Sequence, residues 1–205
     1  MVPARPADLD VTEELGGTPM NIHINAPLPP FIDTKRLRLR PHRLSDCGPI
    51  SETLSDFRVT RMLARVPYPY GEDDARDWLN LILAPDDGWH FAITQPADDV
   101  HIGTISIEHR QQAWHLGYYL NRYYWGRGFM SEAASGLIER FFSRHGNVAL
   151  HSGAYAENRA SQRVQEKLGF RVTGLRDLYS VSTSQMIPEV TTELKANEFQ
   201  PFEFA

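Results

Sequence analysis

Between Trp114 and His145 the hydrophobic period of this chain switches from two to about 3.6 within a few residues, and Gly126-Arg127-Gly128 bridges the switch. Trp114–Asn121 reads as a strand. Phe129, Met130, Ala133, Ala134, Leu137, Ile138, Phe141 and Phe142 then recur at helical spacing, which predicts an amphipathic helix ending near His145-Gly146. A helix that opens directly out of a glycine-rich loop presents unpaired backbone N–H groups and the positive end of its dipole, a ready anion site. Glycines there let a phosphate reach the main chain with no Cβ in the way, and Arg127 can add a charge-assisted hydrogen bond. The segment lacks the third glycine of a dinucleotide fingerprint and the Gly-Lys-Ser/Thr of a P-loop. Taken alone it fits a ligand-free strand-to-helix turn equally well.

The remaining chain places this segment inside one mixed domain. Thr34–Arg40 alternates strictly, predicting a half-buried strand with Leu37 and Leu39 inward and Arg36, Arg38 and Arg40 on the solvated side. A helix is expected from Ser45, its N-cap, towards Asp56. A second runs from Ala75 to Leu83 behind Glu72, Asp73 and Asp74. Pro85-Asp86-Asp87-Gly88 is a turn, and Trp89–Thr94, His101–His109 and Trp114–Asn121 form an antiparallel meander. Val148–Ala154 is a strand, Asn158–Leu168 a helix closed by Gly169, Arg171–Leu175 a strand and Val190–Leu194 a candidate last strand. Phe199, Phe202 and Phe204 are expected to pack on the body. The Pro-rich opening, residues 1–30, reads as a mobile arm, and residues 31–205 as a single α+β domain.

Composition removes several function classes. No run approaches the roughly 18 apolar residues of a membrane helix, and the first thirty residues lack the pattern of a secretory signal, so the expected compartment is the cytoplasm. A net charge of −5 argues against a nucleic-acid partner held by bulk electrostatics. The single cysteine, Cys47, and the absence of short ligand spacings among the histidines predict no metal site. The expected assembly is a monomer or homodimer, with the aromatic tail as the surface that would pair.

A second segment gives the first its meaning. Glu157-Asn158-Arg159-Ala160-Ser161-Gln162-Arg163-Val164-Gln165-Glu166-Lys167-Leu168-Gly169-Phe170 opens a helix with short polar residues and closes it with Gly-Phe. Asn158 and Ser161 share a face near its start, and Arg163 and Lys167 could meet an anion together. An N-cap, a solvated basic edge and a terminal glycine would also explain each residue separately. With Thr34-Lys-Arg-Leu-Arg-Leu-Arg-Pro41, His101-Ile-Gly-Thr-Ile105 and Gly117-Tyr-Tyr-Leu120 ahead of Tyr124-Trp-Gly-Arg-Gly-Phe-Met-Ser-Glu-Ala133, the chain resembles the GNAT superfamily of acyl-CoA-dependent N-acetyltransferases, in its RimJ/RimL-like branch. The resemblance runs from about Asp33 to Leu194 and implies a twisted, mostly antiparallel sheet splayed at the cofactor site and flanked by about four helices.

It further implies acetyl-CoA as cosubstrate, with the backbone of Trp125, Gly126, Arg127, Gly128, Phe129 and Met130 on its pyrophosphate. Main-chain groups near Leu120 would pair with the pantetheine arm. Asn158 would bind the arm from its other side, with Ser161 near the sulfur, and Arg163 or Lys167 would meet the 3′-phosphate. The implied reaction is direct attack of a neutral amine, from a protein N-terminus or a small molecule, on the thioester. A backbone N–H near Tyr118 or Tyr119 would stabilise the developing oxyanion. Many members carry a tyrosine proton donor where this chain has Gln165, so Ser161 is the replacement candidate. Branch members often carry Glu where this chain has His115, a residue that titrates near neutrality when unperturbed and is one candidate base, with Glu108 the other. His115 could instead be a cross-strand histidine packed on Trp89 or Trp114. Tyr68, Tyr70, Tyr118 and Tyr155 are candidate walls of the acceptor pocket or ordinary packed aromatics. Asp73, Asp74, Asp86 and Asp87 could draw in a cationic acceptor or simply sit in solvated loops. A non-catalytic acyl-CoA sensor is the competing function.

Overall fold

A computed structural model describes residues 31–84 and 88–204, so the arm over 1–30 and Asp86 and Asp87 lie outside the described residues. The apolar periodicities pack around one eight-stranded sheet. Its strands are β1 (Ile32–Asp33), β2 (Arg38–Pro41), β3 (Trp89–Thr94), β4 (His101–Arg110), β5 (Ala113–Leu120), β6 (Leu150–Tyr155), β7 (Arg171–Ser180) and β8 (Gln185–Leu194), in the order β1-β2-β3-β4-β5-β6-β8-β7. Five α-helices accompany them: α1 (Cys47–Leu54), α2 (Phe57–Thr60), α3 (Glu72–Ile82), α4 (Phe129–His145) and α5 (Arg159–Lys167).

Alternation along each central strand sends its side chains to two different cores. Leu39, Phe91, Ile93, Ile105, Ile107 and Leu116 meet Ala133, Leu137, Ile138 and Phe141 of α4 on one face. Phe141 is fully buried and meets Trp89 and Trp114 edge-on. A smaller core, built on Ile50, Leu54, Tyr70, Ala75 and Leu79, holds α1 and α3 together, and Tyr119 of β5 packs against it from the other face of the sheet.

Every neighbouring pair is antiparallel except β5 and β6, which the long α4 crossover makes parallel. That parallel ladder contains only Trp114↔Leu150 and His115↔His151. Ser152 Oγ donates to Leu116 O at 3.1 Å just beyond it, and from there β5 stays with β4 while β6 follows β8. The sheet is therefore split at its centre.

Several expectations shift. Arg40 is not on a solvated face: it is 5% exposed, its guanidinium donates to both Asp46 carboxylate oxygens at 2.9 Å, and its Nε donates to Asp99 at 2.8 Å. Arg36 is drawn to Glu132. The first helix begins with a 3₁₀ turn at Leu44, and the Asp46 carboxylate, not Ser45, receives the Arg43 N–H at 2.9 Å. The acids ahead of the second helix are its first turn. The strand placed at Val148 starts at Leu150, and the last two strands form a longer hairpin than the sequence suggests.

Candidate functional site

The split leaves one edge of β5 unpaired. Leu116 O and Leu120 O point into the gap, since they accept from Ser152 Oγ and from the Trp125 indole N–H at 2.8 Å. The two-residue alternation of an antiparallel strand turns the Tyr118 amide the same way. Main-chain groups around Leu120 thus edge the gap, with the Leu120 carbonyl already engaged by Trp125.

Past the gap the chain makes a 3₁₀ turn, in which Asn121 Oδ1 accepts from Tyr123 N at 3.1 Å, and then enters the glycine loop. Gly126 and Gly128 have φ of +75° and +76°, the left-handed region that glycine occupies without penalty. The first bond of α4 runs from Glu132 N to Gly128 O at 3.0 Å, so the amides of Phe129, Met130 and Ser131 have no acceptor in the helix. A Cβ on Gly126 would meet nothing within 4 Å, whereas one on Gly128 would sit 3.3 Å from Phe202 Cζ. Arg127 is exposed, its guanidinium 5.7 Å from the Tyr124 ring centroid.

Two residues absent from the sequence-level site hold this loop in place. Glu132 is 3% exposed and takes three donors: Thr34 Oγ1, Arg36 N and Arg36 Nε, each at 2.7 Å. Arg36 Nη1 donates to Arg127 O at 3.1 Å, and its guanidinium lies over the Phe129 and Phe204 rings. Phe202 N donates to Ser135 Oγ at 2.9 Å, which lays the tail across α4. One signal was available in the sequence: a carboxylate in the first turn of a helix expected to meet an anion would repel it unless a cation neutralises it, so Glu132 demanded a partner.

On the far side of the gap, Asn158 caps α5, its Oδ1 accepting from Ser161 N at 3.1 Å. Ser161 Oγ lies 2.9 Å from Tyr118 Oη, a hydrogen bond that spans the split. Gln165, 1% exposed, organises this pair. Its Oε1 accepts from Thr192 Oγ1 at 2.9 Å, which turns Nε2 towards Ser152 Oγ, Gly153 O, Ser161 Oγ and Tyr118 Oη at 3.2 to 3.5 Å. Arg163 and Lys167 are exposed on the same helix. Tyr118 thus belongs to the α4–α5 side of the sheet, and burial raises its phenol pKa.

The opposite face is polar. Glu108 and His115 lie opposite each other in the β4–β5 ladder, and His115 lies beside His151, ring centroids 5.6 Å apart. Burial and the positive charges of Arg110 and Arg176 push His115 down to about 4, so it does not titrate near neutrality and is uncharged there. Arg65 and Arg110 hold the Glu108 carboxyl below its usual range against the opposing effect of burial. Neither Trp89 nor Trp114 packs on His115; His145 meets both, and His109 also meets Trp114. Tyr155 is buried on β6, Tyr68 is exposed against Phe57, and Tyr70 is a member of the smaller core, its phenol raised to about 12 by burial. Asp74 is spent on the Gly71 N–H at 2.8 Å, and Asp73 is exposed. Among the described residues no group of three or more His, Cys, Asp or Glu could hold a metal, and no helix is long and apolar enough to cross a membrane.

Residues 36–171 match the family model described as "Acetyltransferase (GNAT) domain". The chain is 28% identical over 172 residues to the uncharacterized N-acetyltransferase p20 of Bacillus licheniformis, covering 81% of this chain and 96% of that protein. Among solved structures, a GNAT-family acetyltransferase from Bacillus anthracis superposes with a TM-score of 0.73 at 22% identity, covering 82% of this chain and 99% of its own. Mycobacterium smegmatis RimJ, solved in complex with CoA-disulfide, gives a TM-score of 0.71 at 17% identity over 82% and 88% of the two chains.

Proposed function

Because the chain belongs to the GNAT acetyltransferases, we propose that it transfers an acetyl group from acetyl-CoA to a primary amine by direct attack in a ternary complex. The observation that carries this reading is the continuity of the split sheet with the glycine loop. A gap edged by the unpaired main chain of β5 runs into three free amides at the start of α4. The open space at the Gly126 Cβ position is room for a phosphate against the backbone. When bound, acetyl-CoA supplies the thioester whose acetyl group is transferred.

The residues of this chain supply the rest. Amides 126–130 hold the pyrophosphate, Arg36 and Glu132 keep that loop in shape, and the Leu120 N–H and Asn158 flank the pantetheine arm. The Tyr118 amide, facing the gap, donates to the oxygen that becomes negative as the amine attacks. Tyr118 Oη hydrogen-bonds Ser161 Oγ, and as the Ser161 proton passes to the departing sulfur the Tyr118 proton follows onto Ser161. Uncharged His115 and ionised Glu108 line the polar face from which the amine enters, and a water between them and the amine would relay its proton to one of these two bases.

One observation favours the sensor reading: both candidate bases lie below their ordinary pKa, so each holds a proton weakly. Calorimetry with acetyl-CoA followed by thiol release over a panel of amines separates the two. Acetyl-CoA binding with release on at least one amine is expected. Tight binding with no release on any amine would leave a sensor.

A further inference from the structure

Among the described residues, the cations and carboxylates of the polar face do not balance. Arg65 Nη2 lies 3.1 Å from Glu108, Arg176 Nε 2.6 Å from Glu189, and Lys195 Nζ 3.6 Å from Glu193. Arg110, on the same face of β4 as Glu108, is left over. The carboxylate recorded against it among the described residues is Glu108 at 3.9 Å, which Arg65 and Ser106 already engage. Arg110 is also crowded by like charge: burial and the fields of Arg65 and Arg176 lower its pKa, and only part of that is offset by Glu108 and Glu189. Its charge reaches His115 directly. A guanidinium in this position has five donors in a planar fork and repulsion that an incoming oxyanion would relieve.

We propose that Arg110 is a specificity residue that grips an anionic group on the acceptor, so that the amine acetylated by this protein carries a carboxylate or phosphate near its nitrogen. This rests on the acetyltransferase reading. Arg110 holds the anionic end of such an acceptor while its amine reaches towards the gap between β5 and β6. A neutral monoamine leaves Arg110 facing two arginines with nothing gained.

The test pairs acceptors that differ in one anionic group: amino acids against their amides, the C-terminally amidated dipeptide Ala-Asp-NH2 against Ala-Asn-NH2, and phosphoethanolamine against ethanolamine. The first two pairs report a carboxylate site and the third a phosphate site. At least one anionic member should exceed its neutral partner in kcat/KM by about tenfold or more, the worth of a charge-assisted hydrogen bond. R110Q should bring that ratio close to one and R110K should restore part of it, with the unfolding midpoint and the heat of acetyl-CoA binding followed in parallel. Neutral members used as well as the anionic ones, or a preference that survives R110Q, would overturn the assignment. Wild-type protein that gives no heat with acetyl-CoA would instead remove the acetyltransferase reading beneath it.

Discussion

The two faces of the split sheet build their sites from different materials. On the α4–α5 face the proposed anion cradle is main chain: glycines at positive φ and three unpaired amides, with side chains used only as braces. On the polar face almost everything is side chain, with Arg65, Glu108, Arg110, His115, Arg176 and Glu189 converging from five separate segments. A backbone site binds what every member of a family shares, because amides cannot be changed by substitution. A site of charged side chains can be rewritten one residue at a time, which suits the varying partner of the reaction.

This contrast is sharpest where a brace can be removed without touching the cradle. Glu132→Ala strands Arg36 Nε, Arg36 N and Thr34 Oγ1, and should cost about 3 kcal/mol in chemical denaturation as well as weakening acetyl-CoA binding. Stability lost with affinity kept would mean that the clamp does not order the loop. Ser161→Ala should lower turnover by about a hundredfold while calorimetric acetyl-CoA affinity stays nearly unchanged; equal rates would relieve Ser161 of its role as donor.

The third variant acts on the polar face. His115→Ala should cut turnover by about tenfold. Because its folded pKa lies near 4, below the ordinary value, His115 is uncharged at neutral pH and gains its proton only as the medium approaches that value. The pH–rate profile of the variant should therefore run parallel to wild type, about tenfold lower, and change shape only in a limb near pH 4; a change of shape centred near neutrality would show that the histidine is not desolvated as described. The mildest change is Gly126→Ala, expected to cost about 1–2 kcal/mol in backbone strain and to weaken acetyl-CoA roughly tenfold. It is a cleaner probe than Gly128→Val, whose side chain would also strike Phe202.

The same contrast explains what could be read in the sequence. Gly126-Arg127-Gly128 and the helix after it are contiguous, so the cradle, α4 and the cap of α5 are visible as local pattern. The brace is not, because Arg36 and Glu132 are 96 residues apart and only the fold joins them. Arg40 misled for a related reason: strand alternation sends it outward, but the turn after Pro41 brings Asp46 over it and turns a surface position into a buried ion pair. The full length of β7 and β8 is hidden in the sequence because Val172, Leu175, Tyr179 and Met186 are exposed, so no buried-face rhythm marks the hairpin. His115 could be placed on its strand, but its lowered pKa depends on Arg110 and Arg176, the latter carried by a strand three places away in the sheet.

The tail has a consequence for how this protein comes into being. Residues 202 and 204 press on Gly128, Arg36 and Lys35, elements laid down much earlier in synthesis. The bracing of the Gly128 loop therefore waits on contacts between residues far apart in the chain, which form late because their loop-closure entropy must be met first, so a partly folded chain holds Gly128 without the ring that presses on it.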